Sequence, residues 1–330
     1  MSREIRGAII GRFRPGGKRA IIPPVTCDIS TPEYIVYLDG RLIPESEAHL
    51  SIYDRGFTLG DGVFDTTRTF NHRPFRLEEH ITRLYNSLRY VHINPGLTPA
   101  ELEQAAKEVL EANIQHIAPD DDVILTFRIS RGAPAVGPTV LITCRPVDFR
   151  RFAHLYQNGV ELVTPTVRAI SRDIMDPRVK TQSRIVNVLA EIQAAAARPG
   201  AWPLLCTSRG IITESARASF LIVQDGLILT PKGGRVLAGV TAGVTTELAE
   251  GLNYQVEERD LTPYDVLLAD EAFITSTSIC VLPVRGLNGA PINGGRAAVP
   301  GPVTTQLIQA WKELTGVEFI AQAQKYGSRE

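Results

Sequence analysis

Lys180 sits in the run Asp176-Pro177-Arg178-Val179-Lys180-Thr181-Gln182-Ser183-Arg184, directly ahead of the apolar stretch Ile185-Val186-Asn187-Val188-Leu189-Ala190. Most other lysines occupy places where water is expected: Lys18 in a basic N-terminal segment, Lys107 on a charged helical stretch, Lys232 in a Pro-Lys-Gly-Gly turn, Lys312 and Lys325 near the C-terminus. A lysine desolvated between apolar segments has a lowered pKa, and its free amine can form a Schiff base with a carbonyl. Taken alone, a solvated loop lysine is the commoner reading.

Glu214 follows Gly210-Ile211-Ile212-Thr213, an apolar setting in which a carboxylate needs a partner. A protonated ring nitrogen is one such partner, and pairing with Arg217 or plain exposure is the alternative. Leu237-Ala238-Gly239-Val240-Thr241-Ala242-Gly243-Val244 leads from a glycine-containing loop into a helix, whose first N–H groups and dipole suit an anion. An ordinary helix cap explains the same residues. Thr275-Ser276-Thr277-Ser278, after the strand Ala272-Phe273-Ile274, offers hydroxyls that cradle phosphate or form a turn. Arg83 offers a bidentate guanidinium, or an exposed helix arginine. A lysine, a carboxylate and three phosphate-binding candidates together are the parts of a pyridoxal phosphate enzyme.

The elements that must hold these groups alternate between sheet and helix. Tyr34 to Leu38 and Arg41 to Pro44 flank Asp39-Gly40, whose residues accept the positive φ of a tight hairpin. Val63 to Phe70 reads as a strand, and Arg76 to Arg89 as a helix with Leu77, His80, Ile81, Leu84 and Leu88 on one face. Thr98-Pro99-Ala100-Glu101 starts another helix. Strands are expected at Val123 to Ser130, Thr139 to Cys144, Val160 to Val163, Pro203 to Thr207, Ser219 to Val223, Leu227 to Thr230 and Glu271 to Ser276. Helices are expected at Ser183 to Ala197, Thr241 to Leu252 and Pro302 to Leu314. The pattern thins between Arg145 and Tyr156, which suggests a linker. The expected layout is an arm at 1–30, a small N-terminal domain at 31–148, a linker at 149–159 and a large cofactor-binding domain at 160–330.

The chain of 330 residues carries a net charge of −1 and is 44% hydrophobic, enough for a sizeable core. That balance gives no global reason to expect nucleic acid or an anionic membrane as partner, and no apolar run reaches spanning length. Cys27, Cys144, Cys206 and Cys280 are scattered without metal-ligand spacing and read as core thiols of a reducing compartment, with no metal site expected. Six basic residues in the first twenty raise a transit peptide; Glu4 and Pro15-Gly16-Gly17 favour a loose arm or subunit contact.

From about Tyr34 to Val284 the chain resembles the class IV aminotransferases, the fold type IV pyridoxal phosphate enzymes. The resemblance is carried by Tyr37-Leu38-Asp39-Gly40, Asp54-Arg55-Gly56-Phe57, Gly60-Asp61-Gly62-Val63-Phe64, His80-Ile81-Thr82-Arg83-Leu84 and Ser130-Arg131-Gly132. It continues through Lys180, Thr213-Glu214, Gly239-Val240-Thr241 and Ala269 to Thr277. It implies an α+β fold of two domains, the larger barrel-like. By it, Lys180 carries the cofactor and moves the substrate proton, Glu214 pairs with the pyridine nitrogen, and Arg83, Val240, Thr241, Ser276 and Thr277 hold the phosphate. Arg184 stands where the family often has a tyrosine touching the cofactor's phenolic oxygen. The implied activity is a cytoplasmic, homodimeric aminotransferase that moves an amino group from an amino acid or primary amine to a 2-oxo acid by a ping-pong route. Aminodeoxychorismate lyase, which also has an arginine at the Arg184 position, is the alternative; a catalytically silent cofactor-binding or scaffold protein is the remote one. Branched-chain markers near Val123 and Leu125 are missing, Phe57 replaces a carboxylate-binding tyrosine, and the loop from Gly132 to Pro138 has no arginine. Arg68 and Arg128 are candidate substitutes for a substrate-carboxylate clamp, with structural pairing to Asp65 or another acid as the alternative.

Overall fold

A computed structural model of the protein describes residues 33–296 and 298–328. The expected arm at 1–30, and Cys27 with it, lie outside the described residues.

Two sheets organise the chain. The first contains β1 (Ile35–Leu38), β2 (Arg41–Pro44), β3 (Gly62–Phe70), β4 (Arg73–Pro74), β5 (Val123–Ala133) and β6 (Gly137–Pro146) in the order β2-β1-β6-β5-β3-β4. Its strand pairs are antiparallel, and Asp39 (φ 48°) and Gly40 (φ 89°) make the expected tight turn between β1 and β2. The helices α2 (Leu77–Tyr90) and α3 (Pro99–Asn113) cover one face, after the short α1 (Arg55–Leu59). Alternation sends Val63 of β3 and Leu125, Phe127 and Ile129 of β5 into the core with Leu84, Leu88, Leu102 and Val109. The other face therefore carries Phe64, Thr66 and Arg68, whose cross-strand partners are Arg128, Thr126 and Ile124. Helix α3 starts at Thr98-Pro99 as expected, and Thr98 and Glu101 close a capping box there.

The second sheet is mixed. It contains β7 (Val160–Val163), β8 (Trp202–Cys206), β9 (Ile212–Ser215), β10 (Ser219–Gln224), β11 (Leu227–Pro231), β12 (Val256–Arg259), β13 (Glu271–Ser276), β14 (Cys280–Leu287) and β15 (Ala290–Pro291). The order is β12-β11-β10-β13-β14-β7-β8-β9, with β15 on β14. The sheet curls back on itself, because Ser215 N–H at the end of β9 donates to Ala218 O just before β10. The fold is the two-domain α+β fold type IV expected from the sequence, with a curled, half-barrel large sheet. Helices α4 (Leu155–Asn158), α5 (Ile185–Ala197), α6 (Val240–Gly251), α7 (Pro263–Leu268), α8 (Pro302–Thr315) and α9 (Phe319–Tyr326) complete it. Its core gathers Phe220, Ile222, Phe273, Leu282, Trp311 and Phe319.

The segment 149–159 is folded into that core. Phe149, Phe152, Leu155 and Tyr156 are buried, and Tyr156 Oη donates to Ile279 O at 2.8 Å. Its arginines gave it a polar look in sequence, while its aromatic residues do the packing. Arg68 ties the two sheets together: its guanidinium donates to Ser278 O and Gln322 Oε1, both at 3.0 Å, and lies 3.7 Å from Asp122. Cys144, Cys206 and Cys280 are buried free thiols.

Candidate active site

Lys180 is held by backbone pairing along the start of β3. Phe64 N–H donates to Lys180 O at 2.9 Å, and Gln182 N–H donates to Gly62 O at 2.9 Å. Side chains lock the same register, with Gln182 Nε2 on Val63 O at 3.1 Å and Ser183 Oγ on Gly60 O at 2.8 Å. Gly62 permits the approach: a Cβ there would lie 2.7 Å from Ile129 O and 3.1 Å from Gln182 Cδ. On the other side, Lys180 N–H reaches Ser87 Oγ of α2 at 3.2 Å.

This register delivers the lysine amine over the Phe64 ring, 4.8 Å from its centroid, at the wall of a cleft. Arg184 and Glu214 line the same cleft, as do Val179, Leu205, Thr213 and Leu237. Burial, aided by the positive charge of Arg83, pulls the Lys180 pKa from 10.5 to about 8. Burial raises the Glu214 carboxyl to about 7, against the opposing pull of Lys180. Two groups that attract each other thus each sit in surroundings that disfavour their own charge. The Glu214 carboxylate is oriented by Leu237 N–H, 3.3 Å from Oε2. Glu214 thus shares the cleft with Lys180, and Arg217 pairs with Glu191 instead.

Arg184 caps α5, which begins at Ile185 and not at Ser183. Its guanidinium donates to Ala216 O, its Cζ lies 5.5 Å from the Phe64 centroid, and burial lowers its pKa.

The phosphate candidates gather around the start of α6. Arg83 donates Nη1–H to Ala238 O at 2.9 Å, two residues before Val240, the first residue of that helix. No side chain caps α6, so its first N–H groups keep their capacity to bind an anion. Thr241 and Thr277 line one small cavity together with His80 and Thr67. Thr277 Oγ1 donates to Thr66 O at 3.2 Å, which joins the loop after β13 to β3. Ser276 ends β13, half-buried, and the buried Thr275 Oγ1 beside it has no hydrogen-bond partner among the described residues.

Two residues emerge that the sequence reading left outside the site. Asp65, fully buried, accepts from Arg83 Nε at 2.8 Å and Nη2 at 2.7 Å, and lies 2.7 Å from His80 Nδ1. Burial works to raise its pKa, but the Arg83 charge and these hydrogen bonds outweigh it and hold the carboxyl well below its usual value. Burial likewise lowers the His80 pKa, with Asp65 opposing. Asp65 therefore pairs with Arg83, not Arg68, because alternation along β3 turns it toward α2 while Arg68 faces the opposite way. The His80-x-x-Arg83 spacing was the available signal: residues three apart on a helix are neighbours.

A sequence profile of the family described as amino-transferase class IV matches residues 62–287. The chain belongs to the class IV aminotransferases. A D-alanine aminotransferase of Bacillus licheniformis is 33% identical over 279 residues, covering 82% of this chain and 93% of that protein. A branched-chain amino acid aminotransferase of T.th., solved with pyridoxamine 5′-phosphate, superposes with a TM-score of 0.76 at 25% identity, covering 90% of this class IV aminotransferase and 97% of that chain. The branched-chain amino acid aminotransferase of Escherichia coli gives a TM-score of 0.78 at 22% identity over 86% and 95% of the two chains, a likeness of fold. The aminotransferase names of these relatives favour transamination over the lyase reaction. Among the described residues of this class IV aminotransferase no helix is long and apolar enough to cross a membrane, and no cluster of acidic, histidine or cysteine side chains could hold a metal.

The residues present fit a phosphorylated pyridine aldehyde. The cleft holds a lysine with a near-neutral pKa and a carboxylate, and Arg83 reaches Ala238 O, next in sequence to the cleft residue Leu237 and just ahead of the uncapped helix α6.

Proposed function

We propose that this aminotransferase uses pyridoxal 5′-phosphate, attached at Lys180, to move an amino group between an amino donor and a 2-oxo acid in two half-reactions. The observation that carries the reading is the placing of Lys180 and Glu214 in one cleft, with the lysine amine shifted toward its neutral form. Bound there, pyridoxal phosphate supplies an electron sink for the bond broken at the substrate Cα.

The chain's own groups do the rest. Neutral Lys180 Nζ would hold the cofactor's aldehyde, and its amine, when free, would take up and return the proton at the substrate Cα. Glu214, oriented by Leu237 N–H, holds a proton on the ring nitrogen. Arg83, the N–H groups of Val240 and Thr241, and the hydroxyls of Thr241, Ser276 and Thr277 hold the phosphate. Asp65 and His80 fix Arg83 for that task. Arg184 borders the ring with Phe64.

The proposal extends to a homodimer. Ile185, Val188, Leu189 and Ile192 form an exposed apolar stripe on α5 at helical spacing, and the region of α1 exposes Ile52, Tyr53, Phe57 and Leu59. Two copies burying these faces would remove them from water beside the cleft.

The test is the visible spectrum of the purified protein. A cofactor band that shifts when an amino donor is added supports the reading; no band, even after incubation with pyridoxal phosphate, overturns it.

A further inference from the structure

Four separate elements meet at the small cavity beside the start of α6: Thr67 of β3, His80 of α2, Thr241 in the first turn of α6 and Thr277 just after β13 all line it. Arg68 also borders the cavity, with its guanidinium committed to Ser278 O and Gln322 Oε1, and aromatic side chains complete the wall.

His80, only 2% exposed, uses one of its two ring nitrogens. Nδ1 lies 2.7 Å from Asp65 Oδ1, a carboxylate that its surroundings keep ionised and that therefore only accepts, so Nδ1 carries the ring proton. Burial disfavours the charged imidazole, which leaves Nε2 a bare acceptor. Nε2 makes no hydrogen bond to a described residue, and neither does the hydroxyl of the buried Thr241. The hydroxyl hydrogens of Thr67 and Thr277 go to Phe75 O at 2.7 Å and Thr66 O at 3.2 Å, so neither is left for the imidazole. A buried acceptor without a donor is costly, and a polar cavity with two to four partners is where a protein holds a water.

We propose that one ordered water occupies this cavity, donating to His80 Nε2 and to Thr241 Oγ1, and that His80 thereby positions the Thr241 hydroxyl for the anion bound at the start of α6. With its oxygen accepting from the water, the Thr241 hydroxyl turns its own hydrogen away from the cavity and toward that anion. The proposal rests on the reading that the cofactor phosphate binds there. His80 is a positioning residue in this account, acting through the water.

Two substitutions separate the ring nitrogens: the amide in His80→Asn takes the place of Nδ1 and keeps the contact to Asp65, while the amide in His80→Gln reaches the place of Nε2. The cofactor-free full chain is titrated with pyridoxal phosphate and with pyridoxal, which lacks the phosphate. In His80→Asn the dissociation constant for pyridoxal phosphate should rise about tenfold and that for pyridoxal less than about twofold, with His80→Gln within about threefold of wild type for both. A merely structural histidine predicts the opposite ranking, because only His80→Asn keeps the buried bond to Asp65, or equal losses for the two aldehydes; either result would overturn the proposal. A high-resolution crystal structure of the wild type needs no variant: a water within hydrogen-bond reach of Nε2 and Thr241 Oγ1 is expected, and a dry cavity overturns the proposal. A wild type that does not prefer pyridoxal phosphate to pyridoxal sinks the phosphate reading and the proposal with it, whereas a preference kept in full by His80→Asn sinks the proposal alone.

Discussion

The Lys180 amine should attach an aldehyde at a pH where an ordinary lysine is inert. Its pKa of about 8 in place of 10.5 corresponds to about 3 kcal/mol in favour of the neutral amine. At about pH 7.5 that leaves roughly one amine in four free, against about one in a thousand for an unperturbed lysine, a gain of some two orders of magnitude in nucleophile. The assay mixes cofactor-free protein with a phosphate-free aromatic aldehyde and follows the attachment rate against pH. The rate should climb with pH and level off through a midpoint near 8. Arg83→Gln removes a charge that lowers the lysine pKa and should move the midpoint up; Glu214→Gln removes one that raises it and should move the midpoint down. A wild-type rate that keeps rising past about pH 10 would refute the desolvated lysine.

Asp65→Asn strips the charge from a fully buried group that serves Arg83 and His80, and urea unfolding should show a loss of about 3–5 kcal/mol. The same carboxylate ties stability to pH. Its pKa is depressed in the folded state, so its contribution is complete above the unfolded value of 3.8 and disappears as pH falls through the lower folded value; acid titration of Asp65→Asn should lack that component. Arg68→Met should lower stability by leaving Asp122 short of a cation while kcat/KM for the amino acid donor stays within about twofold, since Arg68 is 1% exposed and bridges the two sheets. Ile192→Asp places a charge in the α5 stripe, and light scattering should find the variant as monomer at concentrations where the wild type is a dimer.

Strand and helix periodicity carried much of the fold in the sequence. The Asp39-Gly40 turn, the α2 core stripe and the helix start at Thr98-Pro99 are local features, and each is formed where the residues placed it. Helix starts were less legible. Ser183 reads as helical, yet the hydrogen bonds from Gln182 to β3 and from Ser183 to Gly60 hold these residues outside the helix, which begins at Ile185. The folded segment 149–159 was obscured because its arginines lie outside while Phe149 and Phe152 lie inside. Within the site, Lys180 and Glu214 could be named from their apolar neighbours. The Asp65–Arg83 pair depends on which way a strand residue turns relative to a helix 18 residues on.

The most direct measurement is borohydride reduction of the protein with bound pyridoxal phosphate, followed by peptide mass spectrometry. The expected result is a single phosphopyridoxyl modification on Lys180, absent in Lys180→Ala. A stable modification on another lysine, or the same labelled yield in Lys180→Ala, would contradict the central assignment.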